Sequence, residues 1–270
     1  MSRRRQRERS AARRSGAPAG PAATDARGPT AHRSASTSRL PGIDALRGFA
    51  ICLMIVYHFS FDLRFFQVTH ADFEHDPFWL GFRALIVGSF MALVGISLVL
   101  ADLAGTAPAK FWKRIALIAG CALAASIGSY LLFPHTYIFF GILHCIAVTS
   151  VLAWPFARRP RFALLLGLAI VIAGLTLSQP AFDQRALSWL GFTTMKPATE
   201  DYVPLAPWAG VAFIGIAVGC ALAAREFRGL AQLPLAAAPR WLQWLGRHSL
   251  AVYMVHQPLL LGLLWVVVGR

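Results

Sequence analysis

Segment 43–63 most constrains the fold, because it is long and apolar enough to cross a membrane yet carries ionisable side chains. These side chains are Asp44, Arg47, His58 and Asp62. A helix turns by about 100° per residue, so the four fall within an arc of about 60° and cover about 27 Å along its axis. Charged groups are costly in a bilayer and usually serve a site or a pathway. This polar face predicts a functional centre, and buried ion pairs that fix helix packing are the alternative.

The remainder of the chain has the composition of a membrane protein. Of its 270 residues, 57% are hydrophobic, and the mean hydropathy is +0.56. A soluble domain of this size is less apolar. We therefore predict an all-α, polytopic membrane helix bundle with about seven transmembrane helices. The predicted spans are 43–66, 78–101, 111–133, 138–157, 161–178, 205–224 and 248–268.

Residues 1–39 form an N-terminal tail that differs from the predicted transmembrane domain, residues 40–270. The tail contains ten arginines but only two acidic residues, Glu8 and Asp25, and it has no apolar periodicity. It cannot bury a core, so we predict that it is disordered. A basic flank before a first span is a topology signal and contacts anionic lipid, and we expect no nucleic-acid partner. No short signal-peptide core precedes the first span, so we expect that span to remain in the membrane.

The distribution of basic residues predicts the orientation. With the N-terminus in the cytoplasm, most of the 26 lysines and arginines lie on the cytoplasmic side. The exceptions, on the outer side, are Arg64, Arg83, Arg185, Lys196 and Arg270. This orientation places Asp44 and Arg47 at the cytoplasmic end of the first span and His58 and Asp62 toward its outer end.

Two groups of potential metal ligands have spacings that argue against a metal. Each cysteine lies inside an apolar run, and the chain has no C-x-x-C spacing, so packing thiols are the expected state. The outer loop 67–76 holds two histidines and three acids, which lie too close together in sequence for a zinc pattern. We expect no metal. The four cysteines are Cys52, Cys121, Cys145 and Cys220.

The strongest candidate for chemistry is the pair His58 and Asp62. They lie one helical turn apart, so a hydrogen bond between them is predicted. A carboxylate beside an imidazole fixes its tautomer and raises its basicity, as a general base requires. His70 or His75 in the outer loop is a candidate second catalytic group. A satisfied core histidine is the alternative interpretation of His58.

Further histidines lie on the later spans. His144 is inside the fourth span, and on the last span Ser249, Tyr253 and His256 fall within about 60° of one another. Histidines on several spans predict a polar cavity between helices. Structural hydrogen bonding alone is the alternative.

Basic residues near the cytoplasmic ends predict a phosphate site. Lys113 and Arg114, together with Arg47 and Arg247, are suited to clamp the phosphates of a nucleotide cofactor. Charges retained for topology are the alternative for all of these except Arg47, which lies on the polar face of the first span. The sequence has no glycine-rich phosphate loop, no H-E-x-x-H and no G-x-S-x-G, so it gives no support for the standard soluble classes.

The outer loop 179–204 combines acids with aromatic residues and leads into the sixth span. Saccharide sites favour such mixtures, and an interfacial aromatic belt is the competing interpretation. The residues predicted to bind an acceptor molecule on this side are Arg83, Asp201, Tyr202 and Trp208.

Several ordered motifs resemble one known family. From about residue 39 to 268, the chain is similar to bacterial membrane proteins with a heparan-α-glucosaminide N-acetyltransferase-like catalytic domain. These proteins belong to a wider superfamily of transmembrane acyltransferases. The similar segments are 43–48, 54–59, 111–114, 140–144, 201–208, 245–250 and 256–258.

The resemblance implies an integral protein of the bacterial cytoplasmic (inner) membrane that moves an acetyl group from cytoplasmic acetyl-CoA to a saccharide or similar acceptor at the outer face. Lysosomal relatives place an amide at the position of His58 and a catalytic histidine in the following loop. There, His70 matches by spacing and His75 by its place before an aromatic pair. The resemblance implies a donor site of Arg47, Lys113, Arg114, His144, Arg247 and His256.

The chemistry expected is deprotonation of an acceptor hydroxyl or amine by a histidine and attack on the thioester, with a ping-pong route through acetyl-histidine as the alternative. Two other functions remain open from the sequence. Intramembrane His and Asp also form proton relays, as in a proton-coupled transporter. A non-catalytic membrane partner protein is the third interpretation.

Overall fold

The structure is a computed structural model that describes residues 40–225 and 238–268. Within these residues the fold is helical, with one isolated bridge between Phe140 and Tyr202. The predicted all-α class is therefore confirmed. The tail that was predicted to be disordered, residues 1–39, lies outside the described residues.

The described helices agree closely with the predicted apolar segments. Five of them (α1, α2, α3, α7 and α9) are long and apolar enough to cross a membrane, and α4 and α5 are apolar but shorter. The number of spans and their orientation remain predictions. The helices are α1 (Pro41–Phe65), α2 (Pro77–Leu103), α3 (Pro108–Leu132), α4 (Ile142–Ala153), α5 (Pro160–Thr176), α6 (Arg185–Ser188), α7 (Leu205–Ala224), α8 (Arg240–Arg247) and α9 (Ser249–Val268).

Local sequence explains where several helices begin. Proline occupies the first position of four of them, where its missing N–H costs no hydrogen bond and its fixed φ suits a helix. The carboxylate of Asp76 accepts a 2.8 Å hydrogen bond from the Phe78 N–H and so caps α2. The four prolines are Pro41, Pro77, Pro108 and Pro160.

Helix α7 lies at the centre of the bundle, packed against both α2 and α5. Its contact with α5 is close because glycines face each other. A Cβ at Gly167 would lie 2.7 Å from the Gly210 carbonyl oxygen. Small residues permit such close approach between membrane helices. The three helices therefore form a tight scaffold.

Helix α1 packs against α2 and against the continuous unit α8–α9. The sequence predicted one span over 248–268 and a loop before it, but the chain forms the short helix α8 there and turns at His248. Gly48 of α1 faces the Leu242 carbonyl, and Gly246 of α8 faces the Asp44 carbonyl. This close crossing aligns α9 with the polar face of α1.

Candidate functional site

One group of polar residues surrounds the Arg47 side chain, and we call it the arginine cluster: Asp44, Arg47, Ser97, Arg114 and Arg247. Arg47 Nη2 donates a 2.9 Å hydrogen bond to Ser97 Oγ. The Asp44 carboxylate lies 3.4 Å from Arg47 Nη1 and 3.4 Å from Arg247 Nε. Arg114 lies close enough for its charge to act on Arg47. The structure thus brings together three of the basic residues predicted for a donor site.

The arginine cluster has an excess of positive charge, because it contains three guanidiniums and one carboxylate, which contacts two of them. The Arg47 side chain is only 21% exposed, so solvent screens it weakly. Lys113, one residue before Arg114, is exposed. An anion would compensate this charge and form bidentate hydrogen bonds with a guanidinium.

A second polar group lies farther along α1, where it faces α9, and we call it the histidine cluster: His58, Asp62, Tyr253, His256 and Gln257. The rings of His58 and His256 lie edge to face with their centroids 4.9 Å apart. Gln257 Nε2 donates a 2.7 Å hydrogen bond to Asp62 Oδ1. Asp62 is 1% exposed and His256 is 7% exposed. This group therefore lies inside the helix interface.

Both histidines of this cluster keep one ring nitrogen free. His58 Nδ1 is 2.9 Å from the Met54 carbonyl oxygen, and His256 Nδ1 is 2.5 Å from the Tyr253 carbonyl oxygen. A carbonyl only accepts hydrogen bonds, so each Nδ1 carries the proton. In the neutral ring, Nε2 then keeps its lone pair. Each imidazole is therefore a base whose orientation is set by its own helix.

The hydrogen bond predicted between His58 and Asp62 is not formed. The His58 ring binds the carbonyl one turn before it on α1, and the Asp62 carboxylate takes its donor from Gln257. The prediction used helical spacing alone and did not include donors from another helix. Gln257 was not predicted as a site residue, and the available signal was its position directly after His256.

The two histidines of loop 67–76 lie in a different environment from the buried His256. Both His70 and His75 are exposed, and the His75 ring lies 3.1 Å from the Asp72 carboxylate. Hydrogen bonds from the backbone N–H groups of Glu74 and His75 lower the pKa of Asp72. The structure gives His58 a histidine neighbour in α9, and a catalytic role for His70 or His75 remains a prediction.

Two of the residues predicted to bind an acceptor have structural partners. Asp201 Oδ2 accepts a 2.9 Å hydrogen bond from the Ile142 N–H and so caps α4. Tyr253 packs against the apolar cluster that includes Ile142 and Val203, so Asp201 lies on the Tyr253 side of the histidine cluster. The Tyr202 hydroxyl donates a 2.6 Å hydrogen bond to the Ser188 carbonyl. These contacts hold loop 179–204 over the end of the bundle that contains the histidine cluster.

The other two residues predicted to bind an acceptor, Arg83 and Trp208, lie on helices α2 and α7. Trp208 is partly buried and packs against the apolar cluster around Val87 and Met91. Arg83 is half-buried on α2, close enough for its charge to act on Tyr57. Binding of an acceptor by Arg83, Asp201, Tyr202 and Trp208 remains a prediction.

His144 is bonded at both ring nitrogens. The Gly141 N–H donates to Nδ1 at 3.2 Å, so the proton lies on Nε2, which is 3.3 Å from Ser126 Oγ. Both bonds fix the start of α4. They account for His144 structurally, and its assignment to the donor site remains a prediction.

The described residues include no group of three or more His, Cys, Asp or Glu side chains placed to hold a metal ion. The four cysteines are free thiols. Cys145 is buried and the other three are half-buried, as expected of thiols that serve packing.

The fold and the two clusters define a class: an integral membrane protein built from helices, with ionisable side chains held between the helices at two levels. The chain belongs to the heparan-alpha-glucosaminide N-acetyltransferase catalytic family, whose sequence profile matches residues 39–258. This range includes every residue of both clusters, and it confirms the resemblance seen in the motifs. Comparison with curated proteins and with solved structures gives no match. Family membership supports a membrane acyltransferase.

Proposed function

We propose that the protein transfers an acetyl group from acetyl-CoA, held by its phosphates at the arginine cluster, to an acceptor bound at the histidine cluster. The observation that carries this proposal is the placement of the two clusters on the same face of α1, each closed by the α8–α9 unit. Arg47 and His58 are eleven residues apart, about 16 Å along the helix axis. This separation suits the extended arm that joins the phosphates of CoA to its thioester.

The assignment of acetyl-CoA, the donor, to the arginine cluster rests on the positive charge of that cluster. Arg47 and Arg247 are held near Asp44, and an arriving phosphate competes with that carboxylate for the guanidiniums. Exposed Lys113 and Arg114 add positive charge at the same end of α3. Helix α3 packs chiefly on α4 and only lightly on α9. The extended arm of CoA would therefore lie along the loosely packed interface between α3 and α9.

The transfer chemistry uses the free Nε2 of His58. This nitrogen takes the proton from an acceptor hydroxyl or amine while the oxygen or nitrogen attacks the thioester carbonyl carbon. The carbon–sulfur bond then breaks, and the sulfur leaves as a thiol with the proton returned by the imidazolium. The histidine is unchanged at the end of the cycle.

The orientation and location in this proposal come from the sequence. The arginine cluster faces the cytoplasm, where acetyl-CoA is made, and the histidine cluster lies toward the outer face of the bacterial cytoplasmic membrane. The acceptor is then a saccharide or similar molecule of the envelope. Lipid surrounds the bundle, as the exposed apolar side chains of α3 and α9 require.

A proton-coupled transporter is the second candidate, because it also uses buried His and Asp. Ile51 and Met54, which lie on α1 between the two clusters, are fully buried and apolar. A proton path along this face therefore has no polar group for about three turns of α1. This gap favours transfer, and uptake driven by a pH gradient in proteoliposomes would favour transport.

Arg47→Ala is expected to weaken CoA binding by about tenfold or more. A hydrogen bond to a charged group contributes about 1.5–3 kcal/mol, and Arg47 is the least exposed cation of the donor end. Binding is measured as the CoA-dependent rise in the unfolding temperature of the purified protein. Arg161→Ala is the matched control, since Arg161 is an exposed basic residue at the start of α5. Equal CoA affinity in wild type and Arg47→Ala would exclude this donor site.

A further inference from the structure

The histidine cluster contains buried polar atoms without a partner. Among the described residues, four buried side-chain polar atoms make no hydrogen bond, and three of them are Asp62 Oδ2, His256 Nε2 and Gln257 Oε1. A buried polar atom without a partner destabilises the folded state, because it has lost its hydrogen bonds to water. Native proteins leave few of these atoms, so three at one helix interface require an explanation.

The three atoms belong to side chains that meet at one helix interface. Asp62 and Gln257 are in direct contact through the 2.7 Å hydrogen bond between their other polar atoms. His256 precedes Gln257 on α9, and its ring lies against His58, one turn before Asp62 on α1. The three residues that carry these atoms therefore lie within about one helical turn at the α1–α9 interface.

The three atoms also have the same chemistry. An ionised carboxylate oxygen and an amide oxygen accept hydrogen bonds and cannot donate them. His256 Nε2 is an acceptor as well, because the ring proton is on Nδ1, which donates to the Tyr253 carbonyl. The site therefore has three free acceptors and lacks the donors to match them.

We propose that Asp62 Oδ2, His256 Nε2 and Gln257 Oε1 form the subsite that binds the acceptor molecule, and that it takes a group bearing several O–H or N–H donors. This inference rests on the proposed function and assigns its acceptor site. His58 removes the proton, and the three acceptors hold the neighbouring hydrogens of the nucleophile. A nucleophile without O–H or N–H groups leaves the three acceptor atoms unpaired and therefore binds poorly.

Hydroxylamine is the probe, because it is a small nucleophile rich in donors and its acetylation by acetyl-CoA releases acetohydroxamate and free CoA. The kinetics of two variants separate the roles of the two ring nitrogens. His256→Gln keeps an acceptor oxygen where Nε2 lies, whereas His256→Asn replaces only the Nδ1 group. We expect His256→Asn to raise the KM for hydroxylamine at least tenfold with kcat within threefold, and His256→Gln to stay near wild type.

Asp62→Asn gives an independent test. Gln257 donates to Oδ1, so the asparagine oxygen must occupy that side, and its NH2 replaces the free Oδ2 acceptor with a donor. We expect the KM for hydroxylamine to rise at least tenfold here too. N,O-dimethylhydroxylamine, which has one N–H, should have a high KM in wild type and in every variant. CoA-dependent stabilisation shows that each variant is folded.

The outcomes are distinct. If both His256 variants lose kcat equally, His256 is a base and the subsite is wrong. If only His256→Gln is impaired, the Nδ1 bond to α9 is what matters and the subsite is again wrong. An unchanged KM in Asp62→Asn also overturns it. Wild-type protein that binds CoA but forms acetohydroxamate no faster than the uncatalysed reaction refutes the proposed function and this inference with it, whereas an active wild type with unaffected variants refutes only the inference.

Discussion

His58→Ala is expected to lower the rate of acyl transfer by about a thousandfold while CoA affinity stays within about twofold of wild type. A positioned general base contributes about 10²–10⁴ in rate, and His58 holds a free Nε2 beside a second imidazole. Its distance from Arg47, about 16 Å along α1, separates it from the phosphates. The measurement is the release of free CoA thiol with hydroxylamine as acceptor, together with CoA-dependent thermal stabilisation.

His248→Ala is the matched control for His58→Ala. His248 has the same local geometry, with Nδ1 2.9 Å from the Trp244 carbonyl oxygen one turn before it, but it is exposed at the turn between α8 and α9. Its loss should leave transfer unchanged. Full transfer activity in His58→Ala, with activity lost in His144→Ala instead, would move the active centre to the start of α4.

Gly246→Val is expected to destabilise the protein by about 3 kcal/mol or more. A Cβ at Gly246 overlaps the Asp44 carbonyl oxygen, and the obstacle is backbone that cannot rotate away. Helix α8 must then move off α1, which breaks the close crossing and separates Arg247 from Asp44. Thermal unfolding in detergent and CoA affinity should both show the loss.

Gly262→Val is the control for this substitution, because a Cβ there has no atom within 4 Å. Gly262 lies on α9, in the same helical unit as Gly246, so both variants make the same chemical change near the C-terminal end. Equal stability of the two variants would show that the α1–α8 crossing does not hold the arginine cluster in place.

The polar face of α1 was predictable because one helix and its period determine it. Asp44, Arg47, His58 and Asp62 share that helix, and the helix forms over Pro41–Phe65 as the apolar run predicts. The same period also grouped Ser249, Tyr253 and His256 on the last span. Sequence periodicity therefore gave the faces of the helices that carry the candidate site.

The pairing of those faces was not predictable, because spacing within one helix says nothing about which helix lies opposite. The contact between His256 and His58 was not foreseen, and the assignment of His256 to the donor site remains a prediction. The Asp62–His58 bond was expected, yet Gln257 of α9 supplies the donor. Helix α8 was missed because its eight residues, with an arginine at each end and a glycine near the end, make too short an apolar run to count as a span, so the segment was taken for a loop.

The location of bound CoA tests the central claim most directly. A cryo-EM map of the protein with CoA should place the phosphates within hydrogen-bond reach of the Arg47 guanidinium and the sulfur beside His58, with the arm running along α1. The same map should show Arg247 drawn toward a phosphate and away from Asp44. CoA density with the sulfur remote from both His58 and His256, or with the phosphates away from Arg47, would contradict the account.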